Sequence, residues 1–553
     1  MMIQPKYLTL NQLLNGRLFQ IPRYQRAYSW DRKQREDLFS DIEHLRTTGG
    51  DAVHFMATMV GLSKGKKTIA TNEFHDIEVV DGQQRLTTLI ILFKSLSESL
   101  DKAEKNERLL RDEIEALLIK NNENTTLLKT EHDTKRYFKA FLEKGEYPLA
   151  TQAETLADRR LLEAMEDCKN FIVQWKGSKL ELGIILKNRL ALIFHELEDE
   201  AAVYTVFEVL NSRGLDVAWL DRLKSVLMGA AFETSKGDKE AVVQDLHGIW
   251  GNIYRCLGLH SGMSSESLRF AATLKSEAKL NKVQGQEAAI ETLRGLAGDS
   301  AKGTIDVSNW ILKVVNAMDK LMAGKRRSAV TRVVQARLLA VAIELSDMSD
   351  PQRDGLLDAW EKVTFRIYGM CRKDGRTRVG EYVRLARKLV FEGMEYEDAL
   401  KEIHSLGAGD FAIGPAIEQL RDENCYEGWE EELRYFMYRY EEHLTREQGR
   451  NFKNEHWEHI WEETAAKSIE HIHPQSKPRK DVHRLGNLVM LPPKLNSQLG
   501  NKKPQEKAED YGDTGLLIAA ELKSTLLKEQ WTSASVKKRE EHLLKWAKRE
   551  WAD

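Results

Sequence analysis

The sequence predicts an α+β protein in which helices predominate. Of its 553 residues, 42% are hydrophobic, 31% are charged and only 10 are proline. This composition is typical of an ordered, soluble and largely helical chain. Short β-like runs are confined to the N-terminal part and to residues 469–491, whereas apolar residues elsewhere recur at helical spacing. A chain of this length is expected to form roughly two to four domains rather than a single core.

Three regions follow one another along the chain. Residues 1–228 alternate strand-like and helical runs and predict an α/β or α+β module. Residues 229–424 are almost entirely helical, with no fixed-period repeat. Residues 425–553 join tryptophan-rich acidic helices to a short polar region and a closing charged helix. We therefore expect three domains with these bounds.

Composition also excludes several classes of protein. The four cysteines lie far apart and form no CxxC pair, so neither a disulfide framework nor a cysteine zinc site is expected. The N-terminus lacks a basic segment followed by an apolar run, and no window reaches the roughly 18 apolar residues of a membrane span. A cytoplasmic protein is expected. Lys and Arg total 83 against 86 Asp and Glu, so binding to nucleic acid would depend on local patches.

In the N-terminal region, buried strands are predicted to lead into a buried helix. Residues 54–62 and 77–80 are apolar runs of strand length, and residues 86–100 carry apolar side chains at helical spacing. A DGQQR run separates the second strand from the helix. The backbone N–H groups at the start of such a helix point into the turn, which suits an anion.

Each residue of the DGQQR run has a chemical use in such a turn. Gly82 permits the sharp bend and the close approach of a phosphate, and Arg85 offers a planar fork for bidentate phosphate contact. Asp81 could hold a cation or orient water, and Gln83 and Gln84 could hydrogen-bond a base or a ribose. A strand, a turn and a helix with a capping aspartate are nevertheless commonplace, so this run alone does not decide a function.

A second polar cluster, IEHIHPQS, lies at residues 469–476. Glu470 and His471 stand on a first predicted strand, LGNLVML predicts a second strand, and KLNSQLGNKK predicts the start of a helix that returns Asn496 to the first pair. A ββα-metal nuclease needs this arrangement. Its histidine takes a proton from the attacking water, while a hard cation held by oxygen ligands neutralises charge on the scissile phosphate.

The EHIxP, LGNL and LN runs resemble the motif of the HNH endonucleases. The resemblance implies that His471 is the general base and that Glu470 and Asn496 bind a divalent metal, Mg2+ or Mn2+. It also implies that Asn487 braces the loop that aims His471. His473 falls at a variable position of the motif. The paired cysteines of many HNH enzymes are missing, which puts a zinc scaffold in doubt but not the catalytic ion.

The same segment is locally basic. Residues 471–507 contain eight Lys or Arg against two acids, a balance that suits contacts to DNA phosphates. An ordinary solvated surface can have the same composition. The candidate DNA-binding residues are Lys477, Arg479, Lys480, Lys502 and Lys503.

Two further runs accompany the DGQQR turn, IPRYQRAYSW at residues 21–30 and FEVLNSRGLDVAWLDRLKS at residues 207–225. Together the three resemble the DGQQR-motif domain of GmrSD-type restriction proteins, which is similar to the ParB and sulfiredoxin fold. The resemblance implies binding and hydrolysis of a nucleoside triphosphate. The implied nucleotide-binding residues are Arg23, Gln25, Arg26, Asp81, Gly82, Gln83, Gln84, Arg85, Asn211 and Arg213.

Two observations bear on this nucleotide site. The NSRG run is also compatible with a helix C-terminal turn in which Gly214 adopts the left-handed conformation. No GxxxxGK[ST] sequence is present, so a P-loop NTPase is excluded.

Taken together, the resemblances predict a GmrSD-like type IV restriction endonuclease that cuts modified phage DNA. Residues 1–228 would be the nucleotide-binding sensor, residues 229–424 a helical linker and residues 425–553 an HNH-type nuclease domain. The expected ligands are DNA, a divalent metal and a nucleoside triphosphate, and a homo-oligomer is left open.

Two other interpretations compete. The first is a nucleotide-switched, ParB-like DNA-binding protein without nuclease activity, whose HNH-like end is a clamp. The second is a sulfiredoxin-type redox enzyme, which would need a reactive cysteine beside the nucleotide motif. None of the four cysteines lies there.

Overall fold

The structure, a computed structural model, shows a mixed α+β protein in which helices predominate, as predicted. Its contacts divide the chain into two compact units, Met1–Leu268 with Gln286–Val315, and Arg269–Gly285 with Asn316–Asp553. The three domain bounds expected from the sequence stay a prediction. The described residues are 5–22, 25, 27–48, 53–69, 71–120, 125–130, 135–198, 219–234, 239–258, 261–330, 332–421, 424–452, 455–477 and 479–553.

The first unit is built around a mixed six-stranded sheet of order β1-β8-β3-β4-β2-β7. β3 pairs antiparallel with β4 and parallel with β8, while β2 lies parallel to both β4 and β7. The short strands β5 and β6 pair with each other. The strands are β1 (Pro5–Thr9), β2 (Arg17–Ile21), β3 (His54–Ile69), β4 (Asn72–Asp81), β5 (Ile119–Lys120), β6 (Thr125–Thr126), β7 (Leu128–Thr130) and β8 (Leu190–Leu197).

The predicted strands and helix of this unit are present, with somewhat different bounds. Residues 54–62 and 77–80 are parts of β3 and β4, and the helix expected at 86–100 spans Gln83–Ser99. Its apolar positions are all buried, and each stabilises the fold by about 1.5–3 kcal/mol. These positions are Leu86, Leu89, Ile90, Phe93 and Leu96.

Helices make up the rest of the first unit. Those that lie wholly within it are Leu10–Leu14, Arg32–Thr48, Gln83–Ser99, Lys105–Leu118, Lys135–Lys144, Leu156–Gln174, Lys179–Ile184, Trp219–Thr234, Lys239–Leu257 and Gln286–Ala297. Ser261–Lys275 and Ala301–Ala323 include residues of both units.

The second unit is helical apart from one small pair of strands. The strands β9 (Ile469–His471) and β10 (Leu488–Met490) pair antiparallel. Its helices are Lys325–Ser328, Val334–Glu344, Asp350–Thr364, Val379–Arg387, Tyr396–Leu406, Ile413–Leu420, Glu430–Glu447, Glu455–Glu462, Ala465–Ser468, Pro493–Leu499, Ala508–Gly512, Leu517–Lys528 and Ser533–Glu550.

Two predicted bounds in this unit were wrong. The run LGNLVML is not one strand, because Leu485–Asn487 forms a tight helical turn before β10. This turn packs so closely on helix Ser533–Glu550 that a Cβ on Gly486 would lie 2.0 Å from the carbonyl oxygen of Val536. The helix expected through KLNSQLGNKK ends at Leu499, because Gly500 takes a positive φ of 47° that stops it.

A buried ion-pair cluster lies in the helical core of the second unit. The fully buried carboxylate of Glu361 accepts hydrogen bonds from Arg326 at 2.8 Å and Tyr435 at 2.5 Å, and pairs with Arg439. Burial alone would raise the pKa of Glu361, but Arg439 and Arg326 hold it below its usual value.

In the described part of the chain, no helix combines the length and apolar character that a membrane span requires.

We expect Glu361→Ala to lower the free energy of unfolding by about 3–5 kcal/mol, because it leaves the buried guanidinium of Arg439 and the half-buried guanidinium of Arg326 without their shared carboxylate. Glu463→Ala is the matched control, since Glu463 and Lys467 form a 2.7 Å pair whose side chains are 47% and 60% exposed. Losing that surface pair should cost at most about 1 kcal/mol. Denaturant unfolding of both variants measures the difference, and equal losses would contradict a structural role for the cluster.

Candidate active site

The strand pair β9 and β10 sets the positions of three predicted site residues. In the register of the pair, His471 lies opposite Leu488 and Glu470 lies opposite Val489. The backbone N–H of Ile472 donates to the carbonyl oxygen of Asn487 at 2.9 Å. Asn487 therefore stands at the end of β10, beside the point where the chain leaves β9.

The side chain of Asn487 holds the loop between the two strands. It is fully buried. Its Oδ1 accepts hydrogen bonds from the backbone N–H of His473 at 2.9 Å and from the indole of Trp531 at 3.0 Å. Its Nδ2 donates to the carbonyl oxygens of His473 at 3.1 Å and Val482 at 2.8 Å. With four bonds to buried groups, this amide fixes the path of the loop.

Glu470 is buried against a lysine. The Nζ of Lys507 donates to Glu470 Oε1 at 2.5 Å and to the carbonyl oxygen of His471 at 2.8 Å, and Tyr511 donates to the same Oε1 at 3.0 Å. Glu470 is 4% exposed, and Lys507 and Tyr511 are fully buried. Burial raises the pKa of Glu470, and Lys507 opposes that rise. The ammonium thus allows a carboxylate to remain in a largely dry place.

His471 lies beside a second histidine. Its Nε2 is 3.1 Å from Nδ1 of His483, and the ring of Tyr426 stacks on His483 with centroids 5.1 Å apart. Burial, followed by the nearby His483 and Lys507, lowers the pKa of His471 to about 4. His471 is therefore neutral at pH 7, which is the form that a general base needs.

The fourth predicted residue, Asn496, is anchored to the same strand. Its Nδ2 donates to the carbonyl oxygens of Lys467 at 2.8 Å and Ile469 at 3.0 Å. Because the amide nitrogen is turned to these carbonyls, Oδ1 is the atom left for another ligand. The structure thus places Glu470 and His471 on β9, Asn487 in the turn that leads into β10, and Asn496 on helix Pro493–Leu499, whose amide bonds to β9.

This donor set fits a hard divalent ion held by few protein ligands. A carboxylate oxygen of Glu470 and the amide oxygen of Asn496 are the kind of ligand that Mg2+ prefers. Mg2+ commonly takes one or two carboxylates from the protein and completes its shell with water and substrate phosphates. Within the described ranges, no three His, Cys, Asp or Glu side chains gather into a fuller metal site.

The candidate DNA-binding residues differ in their surroundings. Lys477, Lys480, Lys502 and Lys503 are exposed. Arg479 is half-buried and is turned toward Asp481 and the carbonyl oxygen of Trp531. The four lysines are therefore better placed for phosphate contacts than Arg479 is.

The DGQQR turn is shorter than predicted. β4 ends at Asp81, Gly82 takes a φ of 90°, and the helix already begins at Gln83. A side chain at Gly82 would be strained by this φ and would press on Met59, 3.1 Å from its nearest atom. Gln83 and Arg85 consequently belong to the first turn of the helix, whose N–H groups face the turn.

Gln25 of the IPRYQR run and Gln84 of the DGQQR run connect the two runs by hydrogen bonds. Gln84 Oε1 accepts the backbone N–H of Ser29 at 2.7 Å, and its Nε2 donates to the carbonyl oxygen of Ala27 at 3.2 Å. The Nε2 of Gln25 donates to the carbonyl oxygen of Val80 at 2.5 Å. The structure thus brings the first two sequence runs together, with Gln25 and Gln84 engaged in holding the backbone.

Arg85 lies in a mixed environment beside the turn. Its guanidinium carbon is 5.7 Å from the centroid of the Trp30 ring. Burial lowers its pKa, and Asp81 and Asp41 act in the opposite direction. A small cavity of about 10 Å³, lined in part by Gly82 and Arg85, has room for about one water molecule.

Of the remaining nucleotide-site predictions, Arg23, Arg26, Asn211, Arg213 and the turn at Gly214 lie outside the described residues.

Sequence reasoning missed several residues of the nuclease-like site. It counted Lys507 only as part of the basic patch, whereas the structure buries it on Glu470. His483 and Trp531 touch His471 and Asn487 from positions that no motif marks. Arg539 donates to the carbonyl oxygens of Gly486 at 3.0 Å and Leu488 at 2.7 Å. Lys507 and Arg539 are charged side chains that the fold buries, and no pattern in the sequence marks that burial.

Two family models match the chain. The model described as GmrSD restriction endonuclease, N-terminal domain, matches residues 10–228. The model described as GmrSD restriction endonucleases, C-terminal domain, matches residues 415–546, which include Glu470, His471, Asn487 and Asn496. Together the two matches span more than half of the chain. Comparison with curated proteins gave no match.

We expect Lys507→Met to lower the free energy of unfolding by about 3–5 kcal/mol at neutral pH, because Glu470 loses its buried counter-ion. Without the ammonium the pKa of Glu470 rises further in the folded state, whereas the unfolded carboxyl titrates near its usual ~4.3. A raised folded pKa gives stability that is present at low pH and lost as pH rises. The deficit of the variant should therefore be larger at pH 8 than at pH 5.

The matched control for this prediction is Lys502→Met. Lys502 is 44% exposed and pairs with Asp510 at 3.1 Å, so its loss should cost at most about 1 kcal/mol at either pH. Denaturant unfolding at the two pH values measures both variants. A Lys507→Met deficit that is no larger than the control, or that shrinks as pH rises, would refute the ion-pair interpretation.

Proposed function

Because this chain belongs to the GmrSD restriction endonucleases, a group of type IV enzymes, we propose that it cuts modified phage DNA by a metal-dependent HNH mechanism under nucleotide control. The observation that carries the proposal is the grouping of Glu470 and His471 on β9 with Asn487 in the turn before β10 and Asn496 on the following helix. That grouping lies within the segment that matches the C-terminal domain.

In this mechanism His471 accepts the proton of the attacking water. It is neutral at pH 7 because burial lowers its pKa to about 4, so the lone pair is available. Asn487 keeps the loop after β9 in place through its bonds to His473 and Val482, and Lys507 fixes the backbone carbonyl of His471. The ring is thereby presented from a rigid strand end, which general-base catalysis requires.

Glu470 and Asn496 are the residues that would hold the metal. Their oxygens suit Mg2+ or Mn2+, and Lys507 offsets part of the negative charge of Glu470. When bound, the ion supplies positive charge to the scissile phosphate and the leaving oxygen. Lys477, Lys480, Lys502 and Lys503 are proposed to contact the DNA backbone, because they are exposed and lie in the same segment.

The N-terminal domain is proposed to sense a nucleoside triphosphate and to license cutting. A nuclease that could cut any duplex would damage its host, so an added condition on cleavage is physically reasonable. The helix begins at Gln83, so the backbone N–H groups of its first turn point toward a phosphate bound at the turn, and Arg85 offers a planar cation. A nucleotide can shift the protein between states only if it binds one state more tightly.

Our first functional prediction is that His471→Ala lowers the rate of DNA cleavage by about 10²- to 10⁴-fold while leaving the fold intact. Plasmid and phage DNA, unmodified or carrying glucosylated or hydroxymethylated bases, would be incubated with Mg2+ or Mn2+ and each nucleotide. EDTA should stop the wild type.

His473→Ala is the control for this prediction, because the His473 ring bonds to the carbonyl oxygen of Lys477 and lies outside the proposed machinery. It should keep cutting. Cleavage by pure His471→Ala protein would refute the site. Metal-independent DNA binding by a wild type that never cuts would favour the ParB-like clamp instead.

A second functional prediction concerns the sensor. Arg85→Ala should abolish nucleotide hydrolysis and remove restriction of modified phage in cells, because the phosphates lose their bidentate contact. In vitro, lost cutting would mean that nucleotide activates the nuclease, and unregulated nicking would mean that nucleotide restrains it. Wild-type restriction and cleavage in a variant that no longer hydrolyses nucleotide would show that the two domains are uncoupled.

The chain offers a matched control for Arg85. Arg46 also lies 5.7 Å from a tryptophan ring, that of Trp175, and is not part of the DGQQR run. Arg46→Ala removes a comparable contact between a cation and an aromatic ring and should leave hydrolysis and restriction unchanged. Thermal unfolding of both variants would separate lost stability from lost phosphate binding.

A further inference from the structure

The contact between His471 and His483 has a consequence for the reaction. His471 Nε2 and His483 Nδ1 are 3.1 Å apart, a hydrogen-bond distance. His483 is not part of the EHIxP, LGNL or LN runs. It lies in the loop that Asn487 holds, and its carbonyl oxygen accepts the backbone N–H of Cys425 at 2.9 Å. The ring of Tyr426 stacks on it at an interplanar angle of 12°. The backbone of His483 is thus held by Cys425 and its ring by Tyr426.

Only one arrangement of protons in this contact suits a general base. In a hydrogen bond between two imidazole rings, one ring nitrogen donates and the other accepts. If His483 donated, His471 would carry its own proton on Nδ1, and neither nitrogen of His471 would be open to water. If His483 accepts, His471 carries its proton on Nε2 and its Nδ1 keeps a lone pair. Among the described residues, Nδ1 of His471 has no hydrogen-bond partner.

We propose that His483 is a positioning residue that fixes the tautomer and the orientation of the base. Its Nδ1 accepts the Nε2–H of His471, so that Nδ1 of His471 faces the attacking water. When the water attacks, its proton goes to Nδ1 of His471 and its oxygen forms the new bond to phosphorus. The bond from phosphorus to the leaving deoxyribose oxygen breaks, and that oxygen keeps the electron pair and takes up a proton from solvent. The resulting imidazolium keeps its Nε2–H on His483, which stabilises the charge without receiving the proton. This inference rests on the proposed nuclease function.

The test compares three substitutions in the full-length chain. His483→Leu removes the acceptor and should lower kcat by about 10- to 100-fold with little change in KM, as losses of orienting partners commonly do. His483→Asn places an amide oxygen near the position of Nδ1 and should restore most of that loss. His473→Leu removes another histidine ring of the same loop and should leave kcat unchanged. The substrate is modified plasmid DNA with Mg2+.

A spectroscopic measurement tests the tautomer without cleavage. Protein labelled with ¹⁵N-histidine should show an unprotonated Nδ1 for His471, assigned by its loss in His471→Gln. In His483→Leu the two tautomers of His471 should mix. If His483→Leu does not fold, the wild-type spectrum alone decides the question.

The outcomes separate the inference from the proposed function. A wild type that does not cut, or a fully active His471→Ala, refutes the proposed function. If the wild type cuts and His471→Ala does not, the positioning role is overturned by any of three results. These are a His483→Leu enzyme with wild-type kcat, a His483→Asn enzyme no better than His483→Leu, and a wild-type His471 protonated on Nδ1.

Discussion

The candidate nuclease site depends on the buried ion pair between the ammonium of Lys507 and the carboxylate of Glu470. Glu470 has lost nearly all contact with water, and an unpaired carboxylate in such a place would be protonated or would destabilise the fold. Lys507 supplies the opposite charge and also bonds to the carbonyl oxygens of His471 and Ile472. One side chain therefore ties the proposed metal ligand to the backbone that carries the proposed base. The tight turn Pro504–Lys507 must dock for either residue to be in place.

The strand pair could not hold the site by itself. β9 and β10 have three residues each, and a two-stranded pair of that length is not stable alone. Its support comes from groups beyond the pair. Arg539 bonds to carbonyl oxygens on both sides of Asn487, and Gly486 lets helix Ser533–Glu550 approach the turn. The LGN run therefore has two structural roles. Asn487 holds the loop by hydrogen bonds, and Gly486 leaves room for the close approach of helix Ser533–Glu550.

The sequence predicted the parts of this site that local spacing encodes, and it missed the parts that only folding creates. Glu470, His471, Asn487 and Asn496 were predicted as one site from the EHIxP, LGNL and LN runs, and their chemical roles stay a prediction. The strand expected over LGNLVML was too long, because the contact of Gly486 with a helix some 50 residues later is invisible to periodicity. Lys507 was read as surface charge, since nothing in PQEK says that its lysine is buried. In the N-terminal unit, the apolar spacing predicted helix Gln83–Ser99 and the burial of its apolar positions, but the structure also buries polar positions such as Thr88 and Lys94 that this spacing does not mark.

The charge of the site suggests why the proposed nuclease would bind its metal ion only weakly in the absence of DNA. Glu470 is the single carboxylate of the proposed ligand set. Lys507 offsets part of its negative charge, and Tyr511 donates a hydrogen bond to the same oxygen. Two protein oxygens with little net negative charge bind Mg2+ weakly, and phosphate oxygens of DNA are the natural source of the missing ligands. Under the proposed function, metal and DNA would then each raise the affinity of the other, because such linkage is reciprocal. Whatever the N-terminal domain does to admit DNA to the site would thereby also control the metal, so one regulated step would govern both requirements of cleavage.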